Sequence, residues 1–158
     1  MGGWVRALVK SALLASAVIG MEALAGCSAD LEQLKANTDV RSGDFADGTY
    51  SGVSPIDALG ATGEVELTIS GGNIVRVSFL VRQADGSVKD SEYGKVGGQI
   101  AVPALYEQAQ RAVAAQITYA EELEQVDDLG KVDVVTGASI SYQSFVAAVA
   151  DALEKARK

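Results

Sequence analysis

Apolar and polar side chains alternate over residues 63–70, with Val65, Leu67 and Ile69 on one face and Glu64, Glu66 and Thr68 on the other. A period of two is the pattern of a strand with one buried side. Gly71-Gly72-Asn73 follows as a hairpin turn in which the glycines supply positive φ. Residues 74–82 return as a strand, with Ile74, Arg76, Ser78 and Leu80 opposite Val75, Val77, Phe79 and Val81. Upstream, Asp47-Gly48 turns into an entering strand over residues 49–54. The period then lengthens. From Pro103, which suits a first helical turn, to about residue 117, an apolar stripe of Leu105, Ala109, Ala112, Val113 and Ile117 has Gln and Arg outside it. A second helical face comprises Tyr142, Phe145, Val146, Val149, Leu153 and Ala156. Before it, Val132, Val134 and Val135 favour extended backbone, so a last strand is expected to run into the C-terminal helix. The pattern predicts an α+β fold: an antiparallel sheet of about four or five strands with helices packed on one side.

The first 46 residues follow neither period. Arg6 and Lys10 precede an apolar run over residues 11–26, broken by Glu22, that ends in Leu24-Ala25-Gly26-Cys27. A basic start and a short apolar run are the pattern of a secretory signal, too short for a comfortable membrane span. The last four residues resemble the bacterial lipobox, in which small residues admit a signal peptidase and the cysteine thiol carries diacylglycerol. The competing reading is an uncleaved anchor helix with an incidental cysteine. The expected division is a lipoprotein signal peptide over 1–26, lipidated Cys27 and a polar tether over 27–46, and a folded domain over 47–158. An acylated cysteine would hold that domain to the bilayer outside the cytoplasm, each buried methylene contributing about 0.8 kcal/mol.

Composition narrows the chemistry. The chain has 13 basic and 21 acidic residues, a formal charge of −8, with no basic cluster. A nucleic-acid partner would require a positive face, so that class is set aside. With no histidine and a single cysteine, Ser-His-Asp and Cys-His catalysis, haem attachment, thiolate zinc sites, iron–sulfur clusters and internal disulfides are excluded. Redox chemistry would have to come from a cofactor that uses neither residue. Glu121, Glu122, Glu124, Asp127 and Asp128 form an acidic run, but its spacing matches no calcium loop, and it reads as a solvated face without metal.

One stretch concentrates hydroxyls. In Asp133-Val134-Val135-Thr136-Gly137-Ala138-Ser139-Ile140-Ser141, Ser139 and Ser141 fall at or just before the start of the last helix. Free N–H groups and the positive end of the helix dipole favour an anion such as phosphate there. Ser139 also suits a plain N-cap, although Tyr142 stands where a capping box would place Glu or Gln.

The stretch resembles the flavinylation motif of the FMN-binding domain family, Asp-x-x-(Ser/Thr)-Gly-Ala-(Ser/Thr). That family includes flavinylated subunits of the sodium-translocating NADH:quinone reductase and Rnf complexes, and many small bacterial lipoproteins. Asp47-Gly48-Thr49-Tyr50 as first strand resembles how the small lipoprotein members begin. The resemblance implies that a flavin transferase joins the phosphate of FMN to Ser139 as a phosphoester. Asp133, Thr136, Gly137 and Ala138 complete the motif, and Ser141 is the further hydroxyl. The motif would lie at the junction of the last strand and the C-terminal helix. The acceptor is more often threonine in the family, and both residues carry the hydroxyl required. Asp133 would either accept turn N–H groups or help position the magnesium-bound phosphate during attachment. Larger members carry a Pro-Gly-Leu-Gly-like segment along the flavin, where this chain has Tyr93-Gly94; Tyr93 is a candidate stacking partner or a cover for the core edge.

The implied role is an extracytoplasmic electron carrier with no catalytic residues or turnover of its own. It would pass electrons from a membrane donor, quinone- or NADH-linked, to an external acceptor or partner redox protein. Acidic surroundings would disfavour anionic reduced flavin and lower its potential. The alternative is a lipid-anchored binding or structural module of the same fold without flavin.

Overall fold

The computed structural model describes residues 45–158. The signal peptide, Cys27 and all but the end of the tether lie outside the described residues. Three strands, β1 (Gly48–Val53), β2 (Thr62–Ser70) and β3 (Asn73–Arg82), form an antiparallel meander in that order. Two helices, α1 (Pro103–Val126) and α2 (Ser139–Ala156), follow, with a 3-10 turn at Leu129–Lys131 between them. The fold is α+β, as the periodicity predicts.

The alternation in β2 survives intact. Val65, Leu67 and Ile69 are buried against the helices. In β3 the predicted face is interrupted: Thr68 pairs with Arg76 but Ile69 pairs with Ile74, leaving Val75 as an extra residue. This bulge brings Ile74 into the core beside Val77 and leaves Val75 half exposed. α2 carries its predicted face whole, since Tyr142, Phe145, Val146, Val149, Leu153 and Ala156 are all buried.

α1 departs from expectation in length and in face. It continues to Val126, where Asp127 ends it at φ 50 with its N–H on the Leu123 carbonyl, 2.9 Å. Its buried side is Ala115, Gln116, Tyr119, Ala120 and Leu123, while Leu105 and Ile117 of the predicted stripe are about 60% exposed. Core-facing residues therefore begin halfway along the helix. The first half faces something else.

Side chains from the helices bond to backbone groups on both edges of the small sheet. Along β3, the Ile74, Val77 and Val81 N–H groups donate to Asp127 Oδ1 (2.6 Å), Glu124 Oε1 (2.6 Å) and Gln116 Oε1 (2.8 Å). Two members of the acidic run thus accept from strand backbone, where solvated carboxylates are expected. Along β1, the Val53 N–H donates to Asp151 Oδ2 at 2.9 Å, and Lys155 Nζ donates to the Ser51 carbonyl at 2.8 Å. Filling these positions blunts the open edges that make short sheets pair with one another.

The Lys155 hydrogen bond, followed by that from Val53, holds the Asp151 carboxyl below the ordinary carboxylate range. A lowered folded-state value means that the unfolded chain binds the proton first as pH falls. The contribution of Asp151 is therefore complete above the ordinary range and is lost as pH drops through the lowered value. The pair is 40–52% exposed, which limits the effect to under about 1 kcal/mol. Asp151→Asn keeps an oxygen for Val53 but loses the charge. Urea unfolding at pH 7 and pH 3 is expected to show a smaller acid-side loss in the variant than in the wild type.

Candidate functional site

The hydroxyl-rich stretch reaches α2 from the 3-10 turn through residues 132–135, which are not a strand. The expected last strand, and with it the strand–helix junction for the motif, is corrected to an irregular segment. Its β-branched residues have the propensity, but among the described residues no strand pairs with it. Two buried tyrosines take that role. Tyr119 Oη accepts from the Val135 N–H at 3.1 Å and donates to the Ala138 carbonyl at 3.3 Å. Tyr142 Oη donates to the Val132 carbonyl at 2.7 Å. Burial is the main cause that pushes the Tyr119 phenol above its ordinary value, so it stays protonated and able to donate. Beneath them, Phe145 stacks on Tyr119 with centroids 5.6 Å apart and meets Phe79 edge-on at 5.0 Å. The segment rests on an aromatic base.

Removing one hydroxyl tests this support. Tyr119→Phe leaves the Val135 N–H and the Ala138 carbonyl without that partner at no cost in ring packing. A loss of about 1–3 kcal/mol is expected, read as a lower urea midpoint with unchanged slope.

Gly137 sits at φ +85, a region that favours glycine, and turns the chain into the helix. The first helical residue is Ser139 itself; the N-cap is Ala138, and no side chain caps the N-terminus. The N-cap reading of Ser139 is therefore corrected by one position. Its hydroxyl makes no hydrogen bond among the described residues, and the side chain is exposed. Ser141, by contrast, is buried. Asp133 and Thr136 are exposed, and the Val135 N–H of the turn goes to Tyr119 instead of Asp133.

Residues 137–141 form one wall of a cleft of about 430 Å³. Leu105, Gln108, Ala109 and Ala112 of α1 form another, Leu59 of the β1–β2 loop a third, and Lys89 and Tyr93 of the loop after β3 complete it. The first part of the α1 stripe, Leu105, Ala109 and Ala112, therefore lines this cleft, and Val113 and Ile117 do not. Of the motif, Gly137, Ala138, Ser139 and Ser141 reach the lining, while Asp133 and Thr136 stay outside it. Tyr93, raised as a stacking candidate, is on the lining with Lys89 Nζ 5.1 Å from its ring centroid.

Sequence reading missed Lys89, whose side chain is 5% exposed and lies 3.9 Å from Asp57 Oδ2. A lysine in a polar loop gives no periodic sign of burial. The loop is fixed from α1: Gln116 Nε2 donates to the Lys89 carbonyl at 3.2 Å, and Gln110 Nε2 to the Asp90 and Tyr93 carbonyls at 3.1 and 2.9 Å. These glutamines, expected to face outward, hold the cleft wall instead. Among the described residues no cluster of acidic or thiol side chains suits a metal ion, and no helix is long and apolar enough to cross a membrane.

Comparison with known proteins adds the family. The solved CPE2226 protein from Clostridium perfringens is 18% identical, with a TM-score of 0.56, over 71% of this chain and 88% of that one. A solution structure from Clostridium thermocellum is 23% identical over 71% of this chain and 92% of that one, with a TM-score of 0.41. No curated protein matches the chain. The FMN-binding domain model matches residues 59–154, more than half of the sequence and every wall of the cleft. The chain belongs to the FMN-binding domain family and is a flavin-binding protein.

Proposed function

We propose that FMN is joined through its phosphate to Ser139, with its ring in the cleft, and that the chain serves as a membrane-anchored electron carrier outside the cytoplasm. The observation that carries this reading is an exposed Ser139 hydroxyl, unspent on capping, at an uncapped helix start on the wall of a 430 Å³ cleft. The residues fit the group. The volume lies in the range of small-molecule sites, about 300–1,000 Å³. Free N–H groups of the first turn suit a phosphate, and Leu59, Leu105 and Tyr93 offer apolar and aromatic surface to a ring.

Bound FMN supplies the redox chemistry. The protein's own residues hold and orient it. Gly137 turns the chain so that the Ser139 hydroxyl stands at the cleft, and Tyr119 and Tyr142 fix that turn. The wall built on Gln110 and Gln116 closes the opposite side. Covalent attachment suits a compartment where a dissociable cofactor would be diluted away. The lipobox-like Leu24-Ala25-Gly26-Cys27 supports anchoring to a bilayer through Cys27. A flavin transferase is then a required partner, with a membrane electron donor and an external or partner acceptor on either side of the carrier.

Co-expression of the full chain with a flavin transferase, followed by mass spectrometry of its peptides, tests the reading. The expected result is FMN less one water on the peptide containing Ser139 and lipid on Cys27. A bare Ser139 peptide from cells equipped for the modification refutes the attachment.

A further inference from the structure

We infer that Lys89 raises the reduction potential of flavin in this cleft by presenting a buried positive charge to the ring, an inference that rests on the flavin reading above. Among all the residues that line the cleft, Lys89 is the one with a charged side chain. Lysine is almost never buried without a partner, and here the partnership is incomplete. Asp57 Oδ2 lies 3.9 Å away, beyond hydrogen-bond range, and this buried oxygen has no hydrogen-bond partner among the described residues. Asp57 is held by its own loop, where Oδ1 accepts the Leu59 and Ala61 N–H groups at 2.8 Å each. The carboxylate is thus placed independently of the lysine.

The lysine backbone is equally fixed. Its N–H donates to the Val81 carbonyl at 2.8 Å and its carbonyl accepts from Gln116. A charge held in this way keeps its field on the cleft. Surface carboxylates, although they give the chain its net −8, act through water and fade beyond a Debye length of about 8–10 Å. Of the buried pair only Lys89 reaches the cleft lining, Asp57 offsetting part of its charge from off the lining, and the potential moves opposite to what overall composition suggests.

Uptake of two electrons and one proton adds one negative charge to the ring, and a neighbouring ammonium favours that form. The experiment uses full chain loaded by a flavin transferase and titrated anaerobically with dithionite, which is oxidised to sulfite, against a reference dye. Asp57→Asn is compared with the double variant Asp57→Asn/Lys89→Met, so that neither carries a lone buried carboxylate, and Lys89→Arg retains the charge. Removing Lys89 in the Asp57→Asn background is expected to shift the reduction equilibrium at least tenfold toward oxidised flavin. That is a fall of about 30 mV for a two-electron couple. Asp57→Asn alone is expected to rise above wild type, and Lys89→Arg to stay near it.

Equal potentials in the Asp57→Asn and double variants, with flavin bound to both, overturn the inference and leave the flavin reading standing. A folded double variant that loses flavin while Asp57→Asn keeps it also overturns it, since Lys89 would then serve attachment. Wild-type chain without flavin overturns both.

Discussion

Gly52→Ala is expected to lose more than about 3 kcal/mol of stability, a large part of the ~5–15 kcal/mol typical of a domain. A Cβ at Gly52 would stand 2.0 Å from the Ala148 carbonyl oxygen, 2.6 Å from the Ala152 nitrogen and 2.9 Å from the Ala152 Cβ. Two of these three atoms are α2 backbone, which has no rotamer to change. Relief would require moving the helix away from β1, and Ala148 and Ala152 are both fully buried at that contact. Overpacking costs about 1–3 kcal/mol where side chains can adjust, and more where they cannot. A melting temperature lower by ~10 °C or more is the expected reading, at ~4–8 °C per kcal/mol for a domain of this size. Gly63→Ala is the graded comparison, because its Cβ would meet Ser144 Cβ at 2.9 Å and both the Phe79 ring edge and the Ser144 carbonyl oxygen at 3.0 Å. None of these contacts is as short as the 2.0 Å at Gly52, and the ring can shift, so the loss there should be smaller. Equal losses at the two positions would refute the close-approach account.

This contact also shows which parts of the fold the sequence discloses. Alternation in β2 and the periodic face of α2 each depend on one element having one buried side, and both are legible. The bulge at Val75 depends on pairing between two strands, and nothing local to Val75 announces it. For α1 the stripe from Leu105 to Ala112 is apolar as its spacing predicts, and it faces the cleft. Periodicity reports that a face avoids water, and it does not report whether protein or a ligand covers it. Residues 132–135 depart from the expected strand for a related reason. Valine propensity is satisfied by extended backbone of any kind, and the hydroxyls that replace a strand partner come from Tyr119 and Tyr142, the first thirteen residues or more upstream.

The candidate site divides in the same way. Its hydroxyl stretch is contiguous and could be found from its residues, but the opposite wall is assembled from three other segments. Lys89 and Asp57 illustrate the gap, since a buried ion pair between two polar loops has no periodic signature. The departure of Tyr93-Gly94 from the segment in larger family members falls in this loop. The structure gives it content, placing Tyr93 under the Lys89 ammonium and on the cleft.

Ser139→Ala is expected to abolish covalent flavin while leaving the fold intact. Loss of the hydroxyl removes no hydrogen bond among the described residues, and Ala138 remains the N-cap. Alanine is also the stronger helix former at a first-turn position, by a few tenths of a kcal/mol. Stability should therefore change by less than about 0.5 kcal/mol, and the circular dichroism and urea midpoint should match wild type. The proposed attachment has no equivalent substitute. Thr136 is exposed but lies outside the cleft lining, and Ser141 is on the lining but only 5% exposed, so an approaching phosphate would meet neither as readily. Thr136→Ala and Ser141→Ala are accordingly expected to keep flavin that survives denaturation. Yellow colour on the denatured Ser139→Ala chain would move the bond to one of those two hydroxyls, and peptide mass would identify which. Ser139→Thr separates the hydroxyl from the residue type: it should restore attachment, because the proposed bond is between Oγ and phosphorus and the extra methyl points from an exposed position.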